Sequence, residues 1–128
     1  MNKLIIDVAS EKIFLMIITK DDIYNITKEN NKINYEKLTL IISDFVNSNS
    51  LKLEKINKIY VNRGPGSFAG IRNSLSIVKA INIARKVDYY CYSSEDFKDQ
   101  KDVKYEDIPN LCEKFKIKKN LIKPIYLS

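Results

Sequence analysis

All three glycines of this 128-residue chain, Gly64, Gly66 and Gly70, fall within seven residues, in the run Arg63-Gly64-Pro65-Gly66-Ser67-Phe68-Ala69-Gly70. Glycine supplies turns and close backbone approaches that other residues resist, so its clustering here marks a special turn. Pro65 stiffens it. The apolar run before it ends at Asn62, and an apolar helical pattern starts near Gly70. Two roles are open to such a loop. One is a rigid strand-to-helix connector; the other is a cradle of backbone N–H groups for an anion at a helix N-terminus. No Gly-Lys-Ser/Thr follows, which excludes a Walker phosphate loop, and the glycine spacing does not match the dinucleotide fingerprint.

Few other residues offer chemistry. The chain has no histidine, which removes His-based triads, His general bases and His metal ligands. Cys91 and Cys112 are too few for a disulfide framework and, without histidine, a poor zinc set. Asp7 is the only acidic residue well placed on a central strand, whereas two-metal hydrolysis needs several carboxylates. Its expected role is hydrogen bonding at a strand end. Ser67 as a nucleophile would need a base, and no His or adjacent Lys supplies one. The expectation is that the chain is not an enzyme and has neither a metal nor a catalytic residue.

The net charge is +6, with 19 Lys against 3 Arg. That invites nucleic acid, but phosphate readers lean on Arg, whose fork grips oxygens in pairs. Ile, Asn and Tyr are abundant too, and all share A/T-rich codons with Lys. Hydrophobic residues make up 45% of the chain, enough for a real core. No apolar run is long enough to span a bilayer and no signal peptide is visible, so a cytoplasmic location is expected.

The elements that must hold the loop follow from apolar patterning. Lys3 to Val8, Lys12 to Thr19 and Ile23 to Thr27 read as three strands joined by short polar turns. Glu29 to Asn34 reads as a polar loop, with Asn34 as N-cap of a helix over Tyr35 to Asn47. Leu38, Ile41, Ile42, Phe45 and Val46 share one face of that helix; Leu40 lies almost opposite. After a link, Lys58 to Asn62 is a fourth strand, Gly70 to Lys86 a second helix and Val87 to Tyr92 a fifth strand. Ile71, Leu75, Ile77, Val78, Ile81 and Ala84 cover about half of the second helix, a wider arc than one sheet face needs. Beyond Ser94 the chain turns highly charged, with a short helix expected over Ile108 to Phe115. The expected order is β-β-β-α-β-α-β, a mixed five-stranded sheet with flanking helices, as in ribonuclease H-like and actin-like ATPase folds. We expect residues 1–97 to form that domain and 98–128 a charged, truncated C-terminal remnant.

Arg63-Gly64-Pro65-Gly66-Ser67-Phe68-Ala69-Gly70-Ile71-Arg72 resembles the signature of the TsaB (YeaZ) family, G-R-G-P-G-S-F-T-G-[LI]-R. Asn62 stands for its leading Gly and Ala69 for its Thr. Leu4-Ile5-Ile6-Asp7 resembles the family's opening strand, Tyr90 to Glu95 the stretch leading into V-S-S-L, and Pro124-Ile125-Tyr126-Leu127 its terminal P-x-Y-L-R, with Ser128 in place of Arg. The family's D-T-S-T is here Asp7-Val8-Ala9-Ser10, and where the family continues with a substantial second domain, about thirty residues follow Phe97. Actin-like ATPases grip phosphates with a glycine in the first hairpin; here no glycine precedes Gly64.

The resemblance implies a non-catalytic scaffold subunit that pairs with TsaD, the transferase that modifies the adenosine next to the tRNA anticodon. The ATPase TsaE joins the assembly, and tRNA is met indirectly. It implies a binding loop of Arg63, Gly64, Pro65, Gly66, Ser67, Phe68, Gly70 and Arg72, and a partner interface on the two helices through Leu40, Ile71, Leu75 and Val78. The same helices could serve a homodimer. No cofactor is implied, and a nucleotide only at an interface shared with TsaD. The competing classes are a degenerate actin-like ATPase, phosphotransferase or peptidase, and an independent tRNA binder using Lys114 to Lys123.

Overall fold

The computed structural model describes residues 1–126, so Leu127 and Ser128 lie outside it. Five strands, β1 (Lys3–Asp7), β2 (Lys12–Ile18), β3 (Ile23–Glu29), β4 (Lys58–Asn62) and β5 (Asp88–Tyr92), form one sheet in the order β3-β2-β1-β4-β5. The first three form an antiparallel meander, and β4 and β5 add in parallel beside β1. Parallel neighbours need crossovers, and helices supply them. The sheet is the expected mixed five-stranded one.

Central β1 is covered on both faces, which explains its unbroken apolar run. Leu4 and Ile6 point to one cluster, with Ile59, Val61, Tyr89 and Cys91. Ile5 points the other way, with Tyr60 and Tyr92. The first face is packed by α2 (Leu38–Ser48) through Leu38, Ile41, Ile42, Phe45 and Val46, and by α3 (Phe68–Arg85) through Ile71, Leu75 and Val78. The second is packed by Phe97 and by α4 (Ile108–Lys114) through Ile108, Leu111 and Cys112. Residues from both sides of position 97/98 therefore share one apolar cluster.

Three boundaries differ from expectation by two residues or more. β3 continues to Glu29, held in register opposite Lys12. The first helical turn begins at α1 (Lys32–Glu36), not after Asn34; the Asn31 side chain accepts the Asn34 N–H at 2.9 Å and is the cap. The chain kinks at Lys37 (φ −102°, ψ 10°) before α2 starts. Finally, α3 starts two residues before Gly70, because Ser67 caps it by accepting the Gly70 N–H at 3.3 Å.

Candidate functional site

The glycine loop leaves the C-terminal end of β4 and is packed against protein on every glycine. A Cβ on Gly70 would run into the carbonyl oxygen of Val8, one on Gly66 into that of Ala9, and one on Gly64 into that of Ile125. Gly64 also sits at φ +110°, where side chains are strained. Several of the N–H groups here find internal acceptors. Gly64 N–H donates to Asn62 Oδ1 (2.8 Å), Ser67 N–H to the Ala9 carbonyl (2.9 Å) and Ile71 N–H to the Ser67 carbonyl (3.0 Å). The loop is thus packed against the β1 extension and Ile125, and these three donors are not left for an anion.

Arg63 extends the clamp. Its guanidinium donates to Asp96 Oδ1 at 2.8 Å and to the Lys123 carbonyl at 3.0 Å. Asp96 Oδ2 in turn accepts the Ser93 N–H at 2.8 Å, completing a capping box over the turn after β5. The Arg63–Asp96 pair is largely buried, so losing one partner would strand the other. Ser67 Oγ lies 3.0 Å from the Tyr35 hydroxyl. With its role as cap, this gives Ser67 a structural environment. Phe68 and Arg72 face outward at the start of α3, the guanidinium 5.9 Å from the Phe68 ring centre, and Phe68 also meets Tyr126 at 4.7 Å.

A cleft of about 340 Å³ opens beyond the C-terminal ends of the parallel strands, where open α/β sheets commonly hold ligands. Asp7, Asn62, Tyr92, Ser94, Gln100 and Tyr105 are among its walls. Asp7 is buried, and both of its oxygens have partners. Oδ1 accepts the Ala9 N–H at 3.1 Å, and Oδ2 accepts the Tyr105 hydroxyl at 2.8 Å. Burial first, and then the Asp7 charge, push the Tyr105 hydroxyl well above its usual pKa, so it remains a donor. Its ring stacks on Phe14 with centres 3.9 Å apart. Burial and Asp7 likewise raise Tyr92, whose buried hydroxyl has no partner among the described residues. Among the described residues no group of three or more His, Cys, Asp or Glu is placed to hold a metal ion. Cys91 and Cys112 are buried thiols, pushed up to about 11 and about 12 mainly by burial, and are poor nucleophiles near neutrality.

The wide apolar arc of α3 resolves into two stripes. Ile71, Leu75 and Val78 are only 0%, 4% and 0% exposed. This corrects the interface expected there, because the sheet already covers those three side chains. The second stripe, Ile77, Ala80, Ile81 and Ala84, has i, i+3, i+4, i+7 spacing. With Thr39 of α2, Ser76 and Arg85 it lines an apolar groove of about 360 Å³. Leu40 is 57% exposed, on the outer side of α2 as expected. Sequence reasoning missed Tyr105, Tyr35 and Asp96. Only Asp96 left a signal, in the Ser93-x-x-Asp96 spacing of a capping box.

Residues 29–96, just over half of the chain, match a family model described as TsaD, tRNA N6-adenosine threonylcarbamoyltransferase. Over 71 residues the chain is 35% identical to the tRNA threonylcarbamoyladenosine biosynthesis protein TsaB of Buchnera aphidicola subsp. Baizongia pistaciae (strain Bp), covering 54% of this chain and 31% of that relative. YeaZ from Pseudomonas aeruginosa superposes with a TM-score of 0.66 at 18% identity, over 72% of this chain and 43% of that one. T. thermophilus RuvC in complex with Holliday junction substrate gives 0.53 at 11% identity, over 77% of this chain and 68% of that one. The two structures share the ribonuclease H-like, actin-like fold with this chain. The chain thus spans about a third of the TsaB relative and less than half of the YeaZ structure. The chain belongs to the family that the TsaD model describes, as a TsaB (YeaZ)-type member.

Proposed function

We propose that this chain is a non-catalytic scaffold subunit that pairs with TsaD in tRNA threonylcarbamoyladenosine modification. The observation that carries this reading is the apolar groove along Ile77, Ala80, Ile81 and Ala84. Small residues at two of its four positions let another helix approach closely. A stripe at this spacing matches one face of a helix pair, and exposed apolar ground of this kind marks partner sites. Leu40, from the interface first expected, remains exposed to contribute. TsaE joins through TsaD in this reading, and tRNA is met in the assembly. A homodimer through the same groove would form where TsaD is absent.

The Asp7 cleft supports a role without chemistry. Its single carboxylate is held by Ala9 and Tyr105 rather than presented to a metal or a substrate. The loop supports the same reading, since its Gly64 and Ser67 N–H groups serve the fold. The test is co-purification of the chain with TsaD of the same organism, and loss of the complex when charge enters the groove while the fold survives.

A further inference from the structure

We infer that a second cleft, on the opposite face of the sheet from the α2/α3 groove, is a phosphate-binding site for a single strand of RNA. The cleft measures about 400 Å³ and is lined by Lys3, Lys58, Tyr60, Tyr90, Glu113 and Lys116, among others. That volume is in the range of roughly 300–1,000 Å³ typical of ligand sites.

Its charge is arranged against the usual rules. Lys3 and Lys58 are direct register partners on the adjacent parallel strands β1 and β4. Like charges placed opposite each other in a sheet are destabilising, and both side chains here are only half exposed. The register continues along the same face to Ile5 and Tyr60, so the two lysines stand on the α4 side. Lys116, just past the end of α4, is exposed and lines the same cleft. Glu113 is the one carboxylate among the lining residues. The ion pairs of the described residues join Arg63 to Asp96, Arg85 to Glu54 and Lys119 to Asp88. Lys3, Lys58 and Lys116 are in none of them. Three lysines lining one concavity with a single carboxylate favour an anion there.

The aromatic side narrows the class. Tyr60 and Tyr90 are stacked with centres 5.1 Å apart, and Lys58 Nζ lies 5.8 Å from the Tyr90 ring centre. Lysines tracking a backbone beside a half-exposed aromatic ring form the pattern that binds single strands without sequence preference. Phosphates meet the lysines, and a base packs beside half-exposed Tyr90. A duplex is too wide to lower its bases into such a cleft. Only the choice of RNA leans on the proposed tRNA-modification role. TsaD co-purification and RNA binding by the isolated chain are separate measurements, so either can fail while the other stands.

The test is fluorescence anisotropy of the full chain with a labelled ten-nucleotide oligouridine, with inorganic phosphate as competitor. Three phosphate contacts should weaken binding roughly 20-fold between 50 and 200 mM salt. Lys3→Gln, Lys58→Gln and Lys116→Gln combined should weaken it at least ~10-fold at 100 mM salt. A control triple of equal charge loss, Lys32→Gln, Lys37→Gln and Lys79→Gln, should change it less than about threefold. Tyr90→Leu should weaken the oligonucleotide but not inorganic phosphate. Equal losses in the two triples would overturn the site, as would no binding by the wild type. Phosphate binding as tight as that of the oligonucleotide, unaffected by Tyr90→Leu, would overturn the RNA assignment. Thermal melting of each variant identifies any that has merely lost its fold.

Discussion

The Tyr105 hydroxyl donates to Asp7 Oδ2 across 2.8 Å, joining the end of the first strand to a residue 98 positions later. In this fold the end of that strand is where chemistry would be expected, and here the acid is capped by the chain's own C-terminal segment. Tyr105→Phe removes a hydrogen bond to a charged group, a loss of about 1.5–3 kcal/mol. Urea denaturation should show that loss with an unchanged slope, because the Phe14 stack survives.

Gly70→Ala drives a methyl into the Val8 carbonyl, a backbone atom that cannot step aside. The substitution should cost more than about 3 kcal/mol or abolish folding, whereas Ala69→Gly, at an exposed position in the first turn of α3, should cost about 1 kcal/mol or less. Circular dichroism melts of the two variants provide the comparison. A near-native Gly70→Ala would contradict the clamp.

Cys91 and Cys112 should be nearly unreactive toward thiol reagents at pH 8 and fully reactive in denaturant. With Cys91 held near 11, thiolates are outnumbered about a thousandfold at that pH. Folding raises both pKa values, so their stabilising contribution is complete below the ordinary thiol value of 9.0 and declines as pH rises through about 11 and 12. Stability measured from pH 8 to 11 should therefore fall, and replacing both cysteines with Ala should flatten the decline.

The strands were legible because their apolar runs are short, dense and separated by polar turns. Lys58 to Asn62 has the expected limits. The glycine loop was legible as a turn, but not as connector or cradle. That depended on what packs against the loop: the Ala9 carbonyl that accepts the Ser67 N–H, and the Val8 and Ile125 carbonyls that crowd Gly70 and Gly64, all remote in sequence. The arc of α3 misled because periodicity gives the width of an apolar surface and not what covers each part. Ile71, Leu75 and Val78 are buried under the sheet, whereas Ile77 and Ile81, partly buried against the same core, line the groove with Ala80 and Ala84. In the C-terminal segment, apolar residues are thinly spread among charges. Yet the i, i+3, i+4 spacing of Ile108, Leu111 and Cys112 is the stripe that covers the second face.

The two stripes of α3 should separate in their mutational effects. Ile71→Glu buries a charge in the core and should leave the chain unfolded. Ile77→Glu with Ala84→Glu alters the groove and should move the melting temperature by only a few degrees, the scale of about 1 kcal/mol in a domain of this size.

The decisive measurement is affinity co-purification of the tagged chain with TsaD of the same organism, for the wild type and for the Ile77→Glu, Ala84→Glu variant. The scaffold reading predicts a complex of defined stoichiometry with the wild type, lost with the folded variant. A wild type that retains no TsaD, or a folded variant that retains it fully, would contradict that reading.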